Sequence, residues 1–193
     1  MIGNSDSIFF SLFNYMKDIL FQIPYYSVSI SNWKKKKAKI NEVLKDYPVV
    51  KLPQQNFLTN RQQSRKKLIP KFLKIFQDDF KEFLLDVQAD MGIKDIWSIV
   101  YKKHHDQIIH NHGSTGYSGV LYLNFNPAVH LPNTYLQPWN HAELDVSVFN
   151  RVPVQEGVMI IVPSFINHFV AANTSSSPRE VIAFDMYRLD EKN

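Results

Sequence analysis

Between Ile96 and Tyr187 the chain is a series of short β-rich runs with no helical pattern between them. The runs are Ile96–Tyr101 (IWSIVY), Tyr117–Phe125 (YSGVLYLNF), Val158–Pro163 (VMIIVP), Asn167–Ala172 and Glu180–Tyr187. Gly, Pro, Asn and Ser punctuate them, as turns require. Several strands in series without intervening helices point to a sandwich or a jelly roll.

The sequence ahead of residue 94 has a different texture. Ser31 precedes a run from Asn32 to Lys45, with Trp33, Ile40, Val43 and Leu44 at helical intervals and Pro48 beyond it. Pro70 is expected to open a second, longer helix to Ala89. Phe72, Ile75, Phe76, Phe80, Phe83, Leu84 and Val87 recur there at three- and four-residue steps, and Gly92 is expected to end it. An aromatic stripe of this kind packs a core. The expected class is mainly β with N-terminal helices: a jelly-roll core over residues 95–190 backed on one outer face by two helices. Residues 1–94 form a helical support region, and 1–193 a single domain.

The 193 residues suffice to bury a core without staples. Cysteine is absent, which excludes disulfides, thiol catalysis, zinc fingers and iron–sulfur clusters. A metal would have to be held by His, Asp, Glu, Asn or backbone oxygens. Charge is unevenly spread. Residues 32–74 carry 13 Lys/Arg against 2 Asp/Glu, so they are strongly basic within a chain of net charge +4. Lys34–Lys37 and Arg65–Lys67 are the densest bursts. Such a region suits a solvated helix face, and it leaves a nucleic acid or other acidic partner open. The apolar stretch Ile8–Phe21 includes Asn14, Lys17 and Asp18 and falls short of the roughly twenty apolar residues of a membrane span. It reads as a packed N-terminal element of a cytoplasmic protein, without the features of a signal peptide.

All seven histidines lie after residue 103. His110-Asn111-His112 is the sharpest local signal. On a strand, residues two apart share a face, so both imidazoles would project together and could converge on one metal. Imidazole suits iron, copper, nickel and zinc. A second signal is GVMIIVPSFINHFVAAN, a strand, a Pro-Ser turn, and a strand carrying His168. A loop then leads to Arg179 at the start of the last strand. A hairpin pairing Ala172 with Arg179 would put His168 and Arg179 on one face.

Together these residues have a chemical logic. A metal held by three protein ligands on one face keeps three positions open. A 2-oxo acid takes two and dioxygen the third. The distal carboxylate of the oxo acid then needs a planar, bidentate cation, and Arg fits that need. Tyr122 is the candidate phenol to add a hydrogen bond.

HNHGSTGYSGVLYLN followed by EGVMIIVPSFINHFVAANTSSSPREVIAF resembles the iron(II)/2-oxoglutarate-dependent dioxygenases, and within them a poorly characterised bacterial and phage group. The resemblance covers about Ile96 to Tyr187. It implies a double-stranded β-helix core, Fe(II) and 2-oxoglutarate as cofactors, and decarboxylation of 2-oxoglutarate to succinate with O2, coupled to oxidation of an unidentified substrate, as in a hydroxylase. It implies His110 and His168 as metal ligands and Arg179 as the clamp on 2-oxoglutarate. The departure is at His112, where most of the superfamily has Asp or Glu. A three-His site, a two-His site completed by water or a distant carboxylate, and a site without metal all remain open, the first being favoured. Val181 stands where many relatives have Ser. Two other readings stay in view: a cupin-like metalloprotein that needs no oxo acid, and a catalytically dead module whose basic region docks an acidic partner.

A literal His-x-Asp also occurs at His104-His105-Asp106, in a charged run, and reads as a turn. The insert 126–156 carries His130, His141, Tyr135 and Trp139. Loops of this length often shape access to a site. Tyr135, Trp139 and His141 are the candidates for substrate contact.

Overall fold

The computed structural model of the chain describes residues 23–136 and 149–189. The expected N-terminal element Ile8–Phe21 and the insert residues Trp139 and His141 lie outside them. In chain order the elements are β1 (Tyr26–Ser29), α1 (Trp33–Leu44), β2 (Val50–Lys51), β3 (Leu58–Thr59) and α2 (Arg61–Phe76). A 3-10 turn (Gln77–Phe80), α3 (Lys81–Val87), β4 (Met91–Tyr101), β5 (Gln107–His110) and β6 (Tyr117–Asn124) follow. The rest are β7 (Thr134–Leu136), β8 (Phe149–Arg151), β9 (Val158–Pro163), β10 (His168–Val170) and β11 (Arg179–Arg188).

The strands form two antiparallel sheets. The larger has the order β1-β9-β6-β11-β4-β3-β2 and the smaller β5-β10-β7-β8. Alternation along the central strands of the larger sheet assigns its two faces. Met159 and Ile161 of β9, Leu121 and Leu123 of β6, and Ile182, Phe184 and Met186 of β11 join one apolar cluster with Ile40 of α1 and Leu68, Phe72 and Phe76 of α2. Val158, Ile160 and Val162, with Tyr122, Val181 and Ala183, join a second cluster with Val170 and Tyr135 of the smaller sheet. One face therefore carries the helices, and the other closes against the second sheet. This explains why VMIIVP is apolar at every position: both faces of β9 are buried.

Three local expectations need correction. Pro70 does not open a helix. It lies inside α2, which starts nine residues earlier at Arg61. Pro70 is exposed, so the Lys66 carbonyl that loses its helical N–H partner can face water. Gly92 does not end the helical run, because Gln88 closes α3 in the left-handed conformation (φ 48°) and Gly92 already belongs to β4. The proposed hairpin does not form. β10 pairs with β5 and β7 in the smaller sheet, while β11 pairs with β4 and β6 in the larger.

The lysine burst is partly consumed by packing. Lys36 pairs with Asp79 at 2.6 Å and Lys37 with Glu156 at 2.8 Å. Among the described residues no helix is long and apolar enough to cross a membrane.

Gly119 in β6 lets Phe184 of β11 lie directly over the sheet. A Cβ at Gly119 would meet the Phe184 ring at 2.1 Å, and the ring is fully buried among Phe72 and Phe80. Gly119→Val should cost about 1–3 kcal/mol by overpacking. Urea unfolding would measure it, and an unchanged midpoint would contradict this account of the packing.

Candidate functional site

β5 ends at His110, and His112 lies just beyond it rather than on a strand. A hydrogen bond from the His112 N–H to the Ser164 carbonyl (2.9 Å) fixes the backbone there. His168 on β10 is the cross-strand partner of His110. The three imidazoles are thereby brought together. One ring nitrogen from each lies within 4.8 Å of the others, and ring centroids are 4.3–5.3 Å apart. His112 is stacked with both His168 and Trp97 (interplanar angles 9° and 14°).

Each Nδ1 faces an acceptor. His110 Nδ1 lies 2.8 Å from the Ile108 carbonyl and His168 Nδ1 3.0 Å from the Ile166 carbonyl. His112 Nδ1 lies 2.6 Å from Asp185 Oδ1. A neutral imidazole that donates from Nδ1 keeps its lone pair on Nε2. With Nδ1 engaged in each ring, Nε2 is the atom left to ligate a metal. Burial lowers the pKa of His110 and, to about 4, that of His168, with the neighbouring imidazoles adding to the effect. Both are thus neutral near pH 7, the form a metal requires. The donor set fits a first-row divalent ion such as iron(II).

Asp185 carried no signal in the sequence reading. It sits at an irregularity between β11 and β4 and also accepts a bond from Ser118 Oγ (3.0 Å). Metal-binding histidines commonly have such a carboxylate behind them, which fixes the tautomer and raises ligand basicity.

Arg179 starts β11 and is 2% exposed. Its guanidinium faces the rings of Tyr101, Tyr122 and Phe125 at 5.0, 5.4 and 5.9 Å. Nη2 donates to Asn133 Oδ1. Nε and Nη1 are buried and, among the described residues, have no hydrogen-bond partner and no carboxylate against them. A buried cation with unsatisfied donors is costly, and the two free donors suit an anion. Tyr122 Oη donates weakly to Asn133 Oδ1 (3.4 Å) and accepts from the Asn133 N–H (3.3 Å). Burial raises the pKa of Tyr101, Tyr122 and Tyr135, so all three remain phenols.

A narrow cavity of about 20 Å³ runs from His110, His112 and His168 past Tyr135 to Tyr101 and Asn133, the groups that touch Arg179. Two amides fill its polar ends. Gln107 Nε2 reaches His110 Nε2 (3.0 Å), and Asn133 holds Arg179. Neither residue was singled out from sequence. Tyr135, expected at the substrate, lines this inner cavity and is the cross-strand partner of His168. His130 is buried and satisfied: Nδ1 accepts from the Asn126 N–H and Nε2 faces the Ser177 carbonyl. His104 is an exposed turn residue (φ 67°), and His105 Nδ1 accepts from the Lys102 N–H. His104→Ala should leave metal affinity unchanged in a titration with cobalt(II). Lost affinity would mean that the wrong His-x-Asp/His pair has been identified.

No protein-family model and no curated protein matches this sequence. The solved structures are informative about its fold. A non-heme alpha ketoglutarate dependent carbocyclase, SnoK from nogalamycin biosynthesis, is similar with a TM-score of 0.62 at 15% identity, over 86% of this chain and 80% of that one. HygX from Streptomyces hygroscopicus, solved with nickel, 2-oxoglutarate and hygromycin B bound, is similar with a TM-score of 0.64 at 12% identity, over 86% and 83%. A Pseudomonas putida prolyl-4-hydroxylase gives 0.56 at 13% identity, over 85% and 92%. The fold is that of the non-haem 2-oxoglutarate-dependent oxygenases, a jelly-roll core with helices on one face.

Proposed function

We propose that this chain is a non-haem iron(II)- and 2-oxoglutarate-dependent oxygenase, of the hydroxylase type, with a three-histidine metal site. The observation that carries the reading is the pairing of two incomplete sites across one cavity. One ring nitrogen from each of three histidines lies within 4.8 Å of the others at one end, and Arg179, whose Nε and Nη1 have no partner among the described residues, stands behind the other. A molecule that chelates a metal through one end and presents a carboxylate at the other satisfies both.

His110, His112 and His168 would hold the iron. With 2-oxoglutarate and O2 the bound iron supplies oxidative decarboxylation to succinate, coupled to oxidation of a substrate C–H bond. The protein's own contribution is binding and orientation. Arg179 would receive the distal carboxylate through Nε and Nη1, and the Tyr101 and Tyr122 rings hold its guanidinium plane in place. Gln107 and Asn133, bonded to His110 and Arg179 in the ligand-free protein, would have to exchange those bonds for bonds to the ligand. The apolar wall of Ile99, Val120, Val162 and Val181 excludes water along the cavity.

Anaerobic protein reconstituted with iron(II) should develop a visible charge-transfer band when 2-oxoglutarate is added, and should release labelled carbon dioxide slowly from 1-labelled 2-oxoglutarate in air. Iron binding without a band would replace this reading with a cupin-like metalloprotein in which Arg179 has no ligand to hold.

A further inference from the structure

A second cavity, of about 260 Å³, lies on the other side of the histidines. It shares Trp97, Gln107, His110 and His112 with the inner cavity but not His168, and it opens past Gln55 and Arg61. Its position makes it the approach by which a substrate would reach the metal. The residues that line its outer part differ in kind from the inner wall.

Arg61, the first residue of α2, lays its guanidinium over the Trp97 ring at 4.3 Å. Trp97 is itself stacked on His112, so Trp97 contacts both Arg61 and one of the candidate metal ligands. Among the described residues no carboxylate lies within ion-pair distance of Arg61. A guanidinium braced on an aromatic face keeps its in-plane N–H donors free for a partner. Gln55 Oε1, in the same cavity, is a buried acceptor without a donor. An unmet buried acceptor is costly until a ligand N–H or O–H reaches it. Asp185 also lines the cavity, but Oδ1 is engaged by His112 and Ser118.

We propose that the outer cavity binds a small polar substrate carrying an oxyanion, which Arg61 holds, and a hydroxyl or amide donor, which Gln55 receives. The proposal rests on the oxygenase reading for what then happens to the substrate, not for the binding itself. The oxyanion is a phosphate or a carboxylate, and an apolar substrate is disfavoured because the cavity mouth would strand both groups.

Calorimetric titration of the purified protein with glycerol 3-phosphate, glycerate, inorganic phosphate and glycerol tests it. Glycerol 3-phosphate or glycerate should bind, the tighter of the two naming the oxyanion, and glycerol should not. Arg61→Gln should weaken that binding about tenfold or more, and Arg61→Lys, which keeps the charge but not the planar stack, by less. Removing the donor, by using the bare anion, should weaken binding in the parent protein but have little effect in Gln55→Ala. Thermal melts check that the variants fold. Arg179→Met separates the two cavities, because it should impair 2-oxoglutarate and leave the glycerol 3-phosphate titration unchanged. Equal loss of the probe in Arg179→Met, indifference to Arg61→Gln, or no binding of either anion at tens of millimolar would overturn the proposal. Failure of 2-oxoglutarate alone to bind would overturn the oxygenase reading while an Arg61-dependent titration still stood.

Discussion

Arg179→Met should abolish 2-oxoglutarate binding at ordinary concentrations and yet make the ligand-free protein more stable. The two halves have one cause. The guanidinium is fully buried and, among the described residues, has no acid against it and no partner for Nε and Nη1. In the ligand-free protein this is an uncompensated charge, and apolar replacement of a buried ion of similar volume is often neutral or stabilising by about 1–4 kcal/mol. With a dicarboxylate bound, the same donors make charge-assisted hydrogen bonds worth about 1.5–3 kcal/mol each. Two of them correspond to a loss of about a hundredfold or more in affinity. Melting temperature with and without 2-oxoglutarate reads both effects at once. The parent should rise on ligand addition, and Arg179→Met should start higher and not respond. A variant that melts lower and keeps its response would make Arg179 a structural residue and remove the main support for the cosubstrate.

What the sequence revealed depended on how local each signal was. Val158–Pro163 could be bounded at both ends because burial of both faces makes every residue apolar. β6 was legible within a residue because Val120, Leu121, Tyr122 and Leu123 form an unbroken apolar, strand-prone run. β2, β3, β7 and β8 are two or three residues long, too short for any period to register, and β3 owes its existence to pairing with β4. Pro70 misled because its exclusion from helix interiors is a tendency that an exposed position relaxes. Partner choice was the deepest gap. His168 and Arg179 do face one interior, but from opposite sheets rather than across a hairpin. Nothing in the ten residues between them says that β10 leaves for β5 and β7. At the site, the three histidines were legible as residue types at a telling spacing. Asp185, Gln107 and Asn133 were not, because a lone Asp, Gln or Asn on a strand or loop has no signature until the fold sets it beside a His or an Arg.

Asp185 bears on the point at which the sequence departs from the superfamily it resembles, His112 in place of an Asp or Glu. Three imidazoles leave a divalent ion with its full charge. Asp185 lies behind His112, 2.6 Å from Nδ1, with both side chains less than a fifth exposed. A carboxylate therefore stands one imidazole ring behind the candidate ligand atom. Its hydrogen bond makes His112 a more basic ligand and locks its tautomer. Asp185→Asn keeps the shape and the acceptor from Ser118 and removes the charge, whereas Asp185→Ala removes both. Metal affinity, read from cobalt(II) absorption, should fall about tenfold in Asp185→Asn and towards a hundredfold in Asp185→Ala. The reciprocal change is the sharper test. His112→Asp restores a direct carboxylate ligand but sets it near the carboxylate of Asp185, and two such groups sharing a site cannot both ionise freely. His112→Asp alone should bind metal poorly, and adding Asp185→Asn should recover affinity, a coupling opposite in sign to the loss that Asp185→Asn causes in the parent. If Asp185→Asn binds cobalt(II) as the parent does, or if the two changes simply add, Asp185 is a packing residue and the site functions on neutral ligands alone.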